Sequence, residues 1–168
     1  MKNIIITLAL LCFAAFSAHA QKDRFKALFI YNFTKNIEWP STAKTNQFVI
    51  GVVGNSQLGD ELSTIAQTQK VANLPIKVIN YASVEGMDYC NLIYLAPNKS
   101  SVLPLLLNHV NGKATLVVTD GKNLAIKGAG ISFIQDGEKL RFEISRKNIE
   151  KQGLKSSSLL GNLGISID

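Results

Sequence analysis

The sequence predicts an α/β domain in three layers, a mostly parallel central sheet sandwiched by helices, with a C-terminal antiparallel hairpin at one edge. Three observations lead there. Strand-like and helix-like segments alternate through the middle of the chain. The runs FVIGVV, CNLIYLA and ATLVVTD are apolar at nearly every position, as strands covered on both faces are. Near the end, ISFIQDGEKLRFEI holds two β-rich runs around Asp136-Gly137. In the second, Leu140, Phe142 and Ile144 alternate with Arg141, Glu143 and Ser145. Period-two alternation puts one strand face in the core, and Asp-Gly between two such runs signals a type I′ turn.

In chain order, residues 1–20 read as a leader. Lys2 gives a positive start, Ile4 to Phe16 is an apolar run too short to span a bilayer, and Ala18-His19-Ala20 is a small-x-small cleavage site. A signal peptide cleaved after Ala20 is expected, with a periplasmic or secreted product. Residues 21–168 have the size of a single domain, without repeat or linker.

A helix is expected from Gln21 to Trp39. Phe25, Leu28, Phe29, Phe33 and Ile37 recur at three- and four-residue steps, and Ile30 and Tyr31 widen the stripe. Most of these belong in the core, with part of the stripe left for a partner protein. Pro40 stops the helix. Gln47 to Val53 reads as the first strand, Gly54-Asn55-Ser56 as a turn, and Leu58 to Ala66 as a helix. The second strand is Leu74 to Tyr81, and Ser83 to Tyr89 is a connector or short helix. Cys90 to Ala96 is the third strand, followed by a helix capped by Ser100 or Ser101 and running to about Val110. Pro104 falls in its first turn, where a missing N–H costs little. Ala114 to Thr119 is the fourth strand, and Asp120-Gly121 turns the chain. Beyond the hairpin, Asn148 to Gln152 reads as a short helix closed by Gly153, and Ser156 to Ser158 offer N-cap hydroxyls for a final helix or turn containing Leu159, Leu160 and Leu163.

The formal charge is +6, or about +5 once Lys2 leaves with the leader. Its lysines are scattered, which reads as a solvated surface, and nucleic acid is a poor partner for an exported protein. An acidic partner or an anionic surface suits the charge better. Cys12 lies in the leader, so Cys90 stands alone in the processed chain and has no internal disulfide partner. It is either a buried inert thiol or a redox candidate.

The catalytic inventory is thin. There is no G-x-S-x-G elbow, and GVVGNSQLG lacks both dinucleotide and Walker spacing. His109, the one histidine beyond the leader, has no ligand cluster around it in sequence, so no metal and no cofactor are expected. In open α/β sheets, ligands sit at the carboxyl ends of the parallel strands. Asn55, Ser56, Asn98 and Asp120 occupy those ends and are the candidates for a small-ligand site, although turn and cap roles explain them equally well.

Two blocks resemble a known family. KALFIYNFTKNIEWP, Lys26 to Pro40, looks like the opening signature of the YfiR family. KGAGISFIQDGEKLRFEISRKNIEKQGLKSSSLL, Lys127 to Leu160, resembles its closing signature. The resemblance implies a periplasmic, non-enzymatic α/β regulator that represses an inner-membrane diguanylate cyclase by binding its periplasmic domain. Such repression lowers cyclic di-GMP and biofilm formation and responds to envelope redox state. Homodimers occur in the family. The resemblance also places a second cysteine, in many members, near the position of Gly51, where this chain has none. That departure puts an internal redox disulfide in doubt. Tyr31 and Arg141, as aromatic and arginine anchors, and Glu143 beside them on the outward hairpin face, are the candidate partner-binding residues. A periplasmic small-ligand binder is the alternative.

Overall fold

The computed structural model describes residues 21–40, 46–137 and 139–168. The expected leader, with Cys12 and its cleavage site, lies outside them. Helix α1 covers 21–35 and strand β1 is Ile37–Glu38. Then come β2 (Phe48–Val53), α2 (Ser56–Ala66), β3 (Lys70–Val71), β4 (Leu74–Tyr81) and β5 (Leu92–Leu95). A 3₁₀ turn, Pro97–Val102, leads into α3 (Leu103–His109) and β6 (Leu116–Asp120). The hairpin is β7 (Ile131–Asp136) and β8 (Lys139–Ile144). Then follow α4 (Arg146–Lys151), β9 (Lys155–Ser156), α5 (Ser158–Leu163) and β10 (Ile165–Ser166).

Eight strands form one sheet in the order β10-β8-β7-β6-β5-β2-β4-β3. It is parallel except at the β7–β8 and β3–β4 pairs. The period-two geometry of β2 divides its side chains between two apolar clusters. Phe48, Ile50 and Val52 join α1, α2, α4 and α5 residues such as Ile30, Leu58, Ile149 and Leu160. Val49 and Val53 join Leu103, Leu106 and Val110 from α3 and its end. The continuous apolar pattern of β2, β5 and β6 follows from that two-sided cover.

Several boundaries differ from the sequence reading. Helix α1 stops four residues before Trp39. Ile37 leaves the helix to bury itself in β1, which pairs antiparallel with β9. The Ser157 N–H donates to the Asn36 carbonyl, and the Ser157 hydroxyl meets the Asn36 amide oxygen at 2.9 Å. Phe25 and Leu28 face outward, 49% and 42% exposed. The core stripe is instead Ala27, Ile30, Tyr31 and Phe33, with Phe29 half-buried.

The hairpin turn sits one residue later than Asp-Gly suggests. Asp136 still pairs with Lys139, and Gly137 carries the positive φ of +60°. Of the two hairpin strands only β8 runs against the parallel strands, because β7 is parallel to β6, and β10, parallel to β8, lies outside it at the edge. Residues 83–89 are the connector of the two alternatives, bends and turns followed by irregular chain, with no helix. Ser100 and Ser101 lie inside the 3₁₀ turn and cap nothing, while Pro104 does fall at the start of α3. Residues 70–81 add a hairpin the sequence reading passed over, with Ala72 and Asn73 at φ +49° and +66°. Two adjacent left-handed residues make its type I′ turn.

The opening and closing blocks of the chain are one structural unit. Besides the β1–β9 pairing, Phe33 lies 5.7 Å from Phe133 and 4.9 Å from Phe142, ring centre to ring centre, and Phe29 is about as close to both. Trp39 belongs to the same scaffold. Its ring stands edge-on to Phe48 at 4.9 Å and its indole N–H donates to the Asn91 carbonyl.

Candidate groove at the strand ends

The first turns of α1 cross the carboxyl ends of β2, β5 and β6. Two of its polar residues are drawn inward there. Lys26 Nζ lies 2.5 Å from Asp120 Oδ2, with both side chains mostly buried. The Tyr94 hydroxyl donates to the same oxygen at 3.0 Å. Burial, with the Asp120 charge next to it, drives the Tyr94 pKa far up, so the phenol stays a neutral donor. Asp23 lies 3.9 Å from Lys26 and accepts from the Asn55 amide, whose oxygen caps α2 through the Leu58 N–H. Each of these polar groups is engaged by another, which is how a polar cluster becomes tolerable under a helix.

Beside this cluster opens a groove of about 1070 Å³. One wall is α1, with Lys22, Phe25, Lys26 and Phe29. The other is the hairpin, which extends past the end of β6, with Ile134, Asp136, Lys139, Leu140 and Arg141. Asp120 and Pro97 form its base. Arg141 is exposed and pairs with Asp136 at 3.0 Å, a contact of small energetic weight in solvent.

The residues picked from sequence fall in different places. Asp120 and Arg141 line the groove together. Asn55 is held behind α1 by Asp23, and Asn98 donates to the Gly54 carbonyl at 3.3 Å. Ser56 opens α2. Tyr31 is 9% exposed, its hydroxyl donating to Gln69 and its ring under the Lys35 ammonium. Glu143 stands in register with Ser132 and Ile165, half-buried, with one carboxylate oxygen buried and unbonded. Phe25, Lys22, Lys26 and Lys139 were missed. Phe25 carries the periodicity of a core residue, and the partner of Lys26 is 94 positions away.

His109 Nε2 lies 3.1 Å from the Met87 carbonyl, so Nε2 carries the proton. Among the described residues no group of three or more His, Cys, Asp or Glu side chains is placed to hold a metal. None of their helices is long and apolar enough to cross a membrane.

Cys90 is a buried free thiol. Burial pushes its pKa up, and the thiolate is the reactive form. Its sulfur fills the space over Gly51, where an added Cβ would sit 3.0 Å from Cys90 Sγ. A disulfide sets about that distance, ~3 Å, between one Cβ and the far sulfur. Gly51→Cys is therefore expected to oxidise onto Cys90 and to raise stability by about 2–4 kcal/mol through loop closure. Thiol titration in denaturant checks it. The oxidised variant should show no thiol beyond the leader; two would rule the bridge out.

A family model described as DUF4154, YfiR/HmsC-like, matches residues 23–164. No curated protein matches the chain.

Proposed function

Since the chain belongs to the YfiR/HmsC-like family, a regulatory and periplasmic one, we propose that it is an exported, non-enzymatic repressor. In this reading it holds an inner-membrane diguanylate cyclase inactive by binding that enzyme's periplasmic domain. The observation that carries the reading is the joining of the two signature blocks. They pair through β1–β9, stack four phenylalanines, and build the two walls of one open groove. The three-layer arrangement goes with it, supported by separate apolar clusters on the two sheet faces. A homodimer is compatible with it. Repression of this kind needs only differential binding to two states of the partner.

The test is co-purification from envelope extracts together with cyclic di-GMP measurement in a deletion strain. Recovery of a membrane cyclase, and a rise in cyclic di-GMP on deletion, are expected. Recovery of no membrane protein under either oxidising or reducing conditions would remove the reading.

A second reading, a small-ligand binder, is favoured by one observation: Lys26 and Asp120 reach the groove at the strand ends, where α/β domains bind metabolites. Thermal shifts against a metabolite panel separate the two, because a ligand bound only by the folded state raises its melting temperature.

A further inference from the structure

We propose that the groove between α1 and the hairpin takes an acidic, amphipathic segment of the partner protein. The inference rests on the regulatory reading above, which makes the occupant a protein. Four basic and two acidic side chains line the groove, a difference of two positive charges. Both carboxylates are already engaged, Asp120 by Lys26 and Asp136 by Arg141. The remaining cations, Lys22 and Lys139, stand one on each wall with no ion pair to a described carboxylate.

Between them lies apolar surface. Phe25 is 49% exposed, one helical turn from Phe29, and faces Ile134 and Leu140 across the groove. A large aromatic left in solvent, in a groove whose other wall carries Arg141, is the kind of anchor that dominates protein interfaces. Flanking lysines steer and orient a segment of opposite charge. The site is a concave groove, which suits an inserted chain better than a flat bilayer surface. A chain carrying carboxylates outside and one or two large apolar side chains inside meets all of these features.

The test uses protein exported to and purified from a host periplasm. The probe is a fluorescein-labelled hexapeptide, Glu-Phe-Glu-Leu-Glu-Phe amide, with a control in which lysine replaces each glutamate. Anisotropy should report binding of the acidic peptide, weakened by salt, and none of the lysine peptide. Lys22→Glu/Lys139→Glu and Phe25→Ser, all at exposed positions, should each lower affinity by about tenfold or more. No binding of the acidic peptide, equal binding of the lysine peptide, or unchanged affinity in both variants would overturn the proposal. The isolated periplasmic domain of the cyclase is titrated in parallel. If it binds wild type and both variants alike, the groove assignment fails and the regulatory reading stands. If the peptide binds in the groove while the domain does not bind at all, the groove assignment stands and the regulatory reading fails.

Discussion

Asp120→Ala is expected to lower folding stability by about 3–5 kcal/mol, the range for breaking a buried ion pair from one side. The substitution strips Lys26, a mostly buried ammonium, of the carboxylate 2.5 Å away. It also orphans the hydroxyl of Tyr94, a fully buried residue. Asp23, at 3.9 Å, is too far to replace Asp120 as a hydrogen-bond acceptor. Urea denaturation measures the loss as a lower midpoint at unchanged slope. Lys26→Met in the same background should restore part of the loss, since the unpaired charge goes with it. A coupling of about 1–3 kcal/mol in that double-mutant cycle is expected. A loss below about 1 kcal/mol for Asp120→Ala would mean that water screens the pair as it does a surface contact.

Phe33→Ala is expected to cost a similar amount, about 3–5 kcal/mol, by opening a cavity in the aromatic cluster. Its ring is 1% exposed and contacts Phe29, Phe133 and Phe142. The control is Phe25→Ala, eight residues earlier on the same helix. Half of that side chain is already in water, so its loss should cost less than about 1 kcal/mol. The contrast tests whether α1 is docked on the hairpin. Equal and small costs for the two variants would show that it is not, and the groove would then lack a wall.

The parallel strands β2, β5 and β6 were legible because both of their faces are buried, which leaves a run of apolar residues that no other element of that length needs. Strand β4, where no residue is fully buried, was legible from its β-branched residues instead. Leu74–Tyr81 emerged with its boundaries correct. The two-residue strands were not legible. Ile37–Glu38 has no periodicity of its own, and it is extended because Lys155–Ser156, more than a hundred residues away, offers it a pairing edge. Its Ile37 continues the helical spacing of α1, so the pattern overran the true end of the helix. The hairpin was legible by alternation, but its turn was misplaced by one residue because Asp136 keeps a cross-strand partner in Lys139.

The site was half legible. Asp120 was reachable from the rule that strand ends bind, and Arg141 from its place opposite the buried face of β8. Phe25 could not be told from a core residue, since α1 is apolar over more than one face and only packing decides which side is covered. Lys22, Lys26 and Lys139 looked like the rest of a scattered basic surface, and only the fold brings them to one groove.

Amide hydrogen exchange, with and without the cyclase periplasmic domain bound, tests most directly whether this surface is where the protein works. Slower exchange is predicted in the first turns of α1, residues 21–29, and in the hairpin, residues 134–141. A bound domain that leaves both stretches exchanging as they do in the free protein, and protects amides elsewhere, would contradict it.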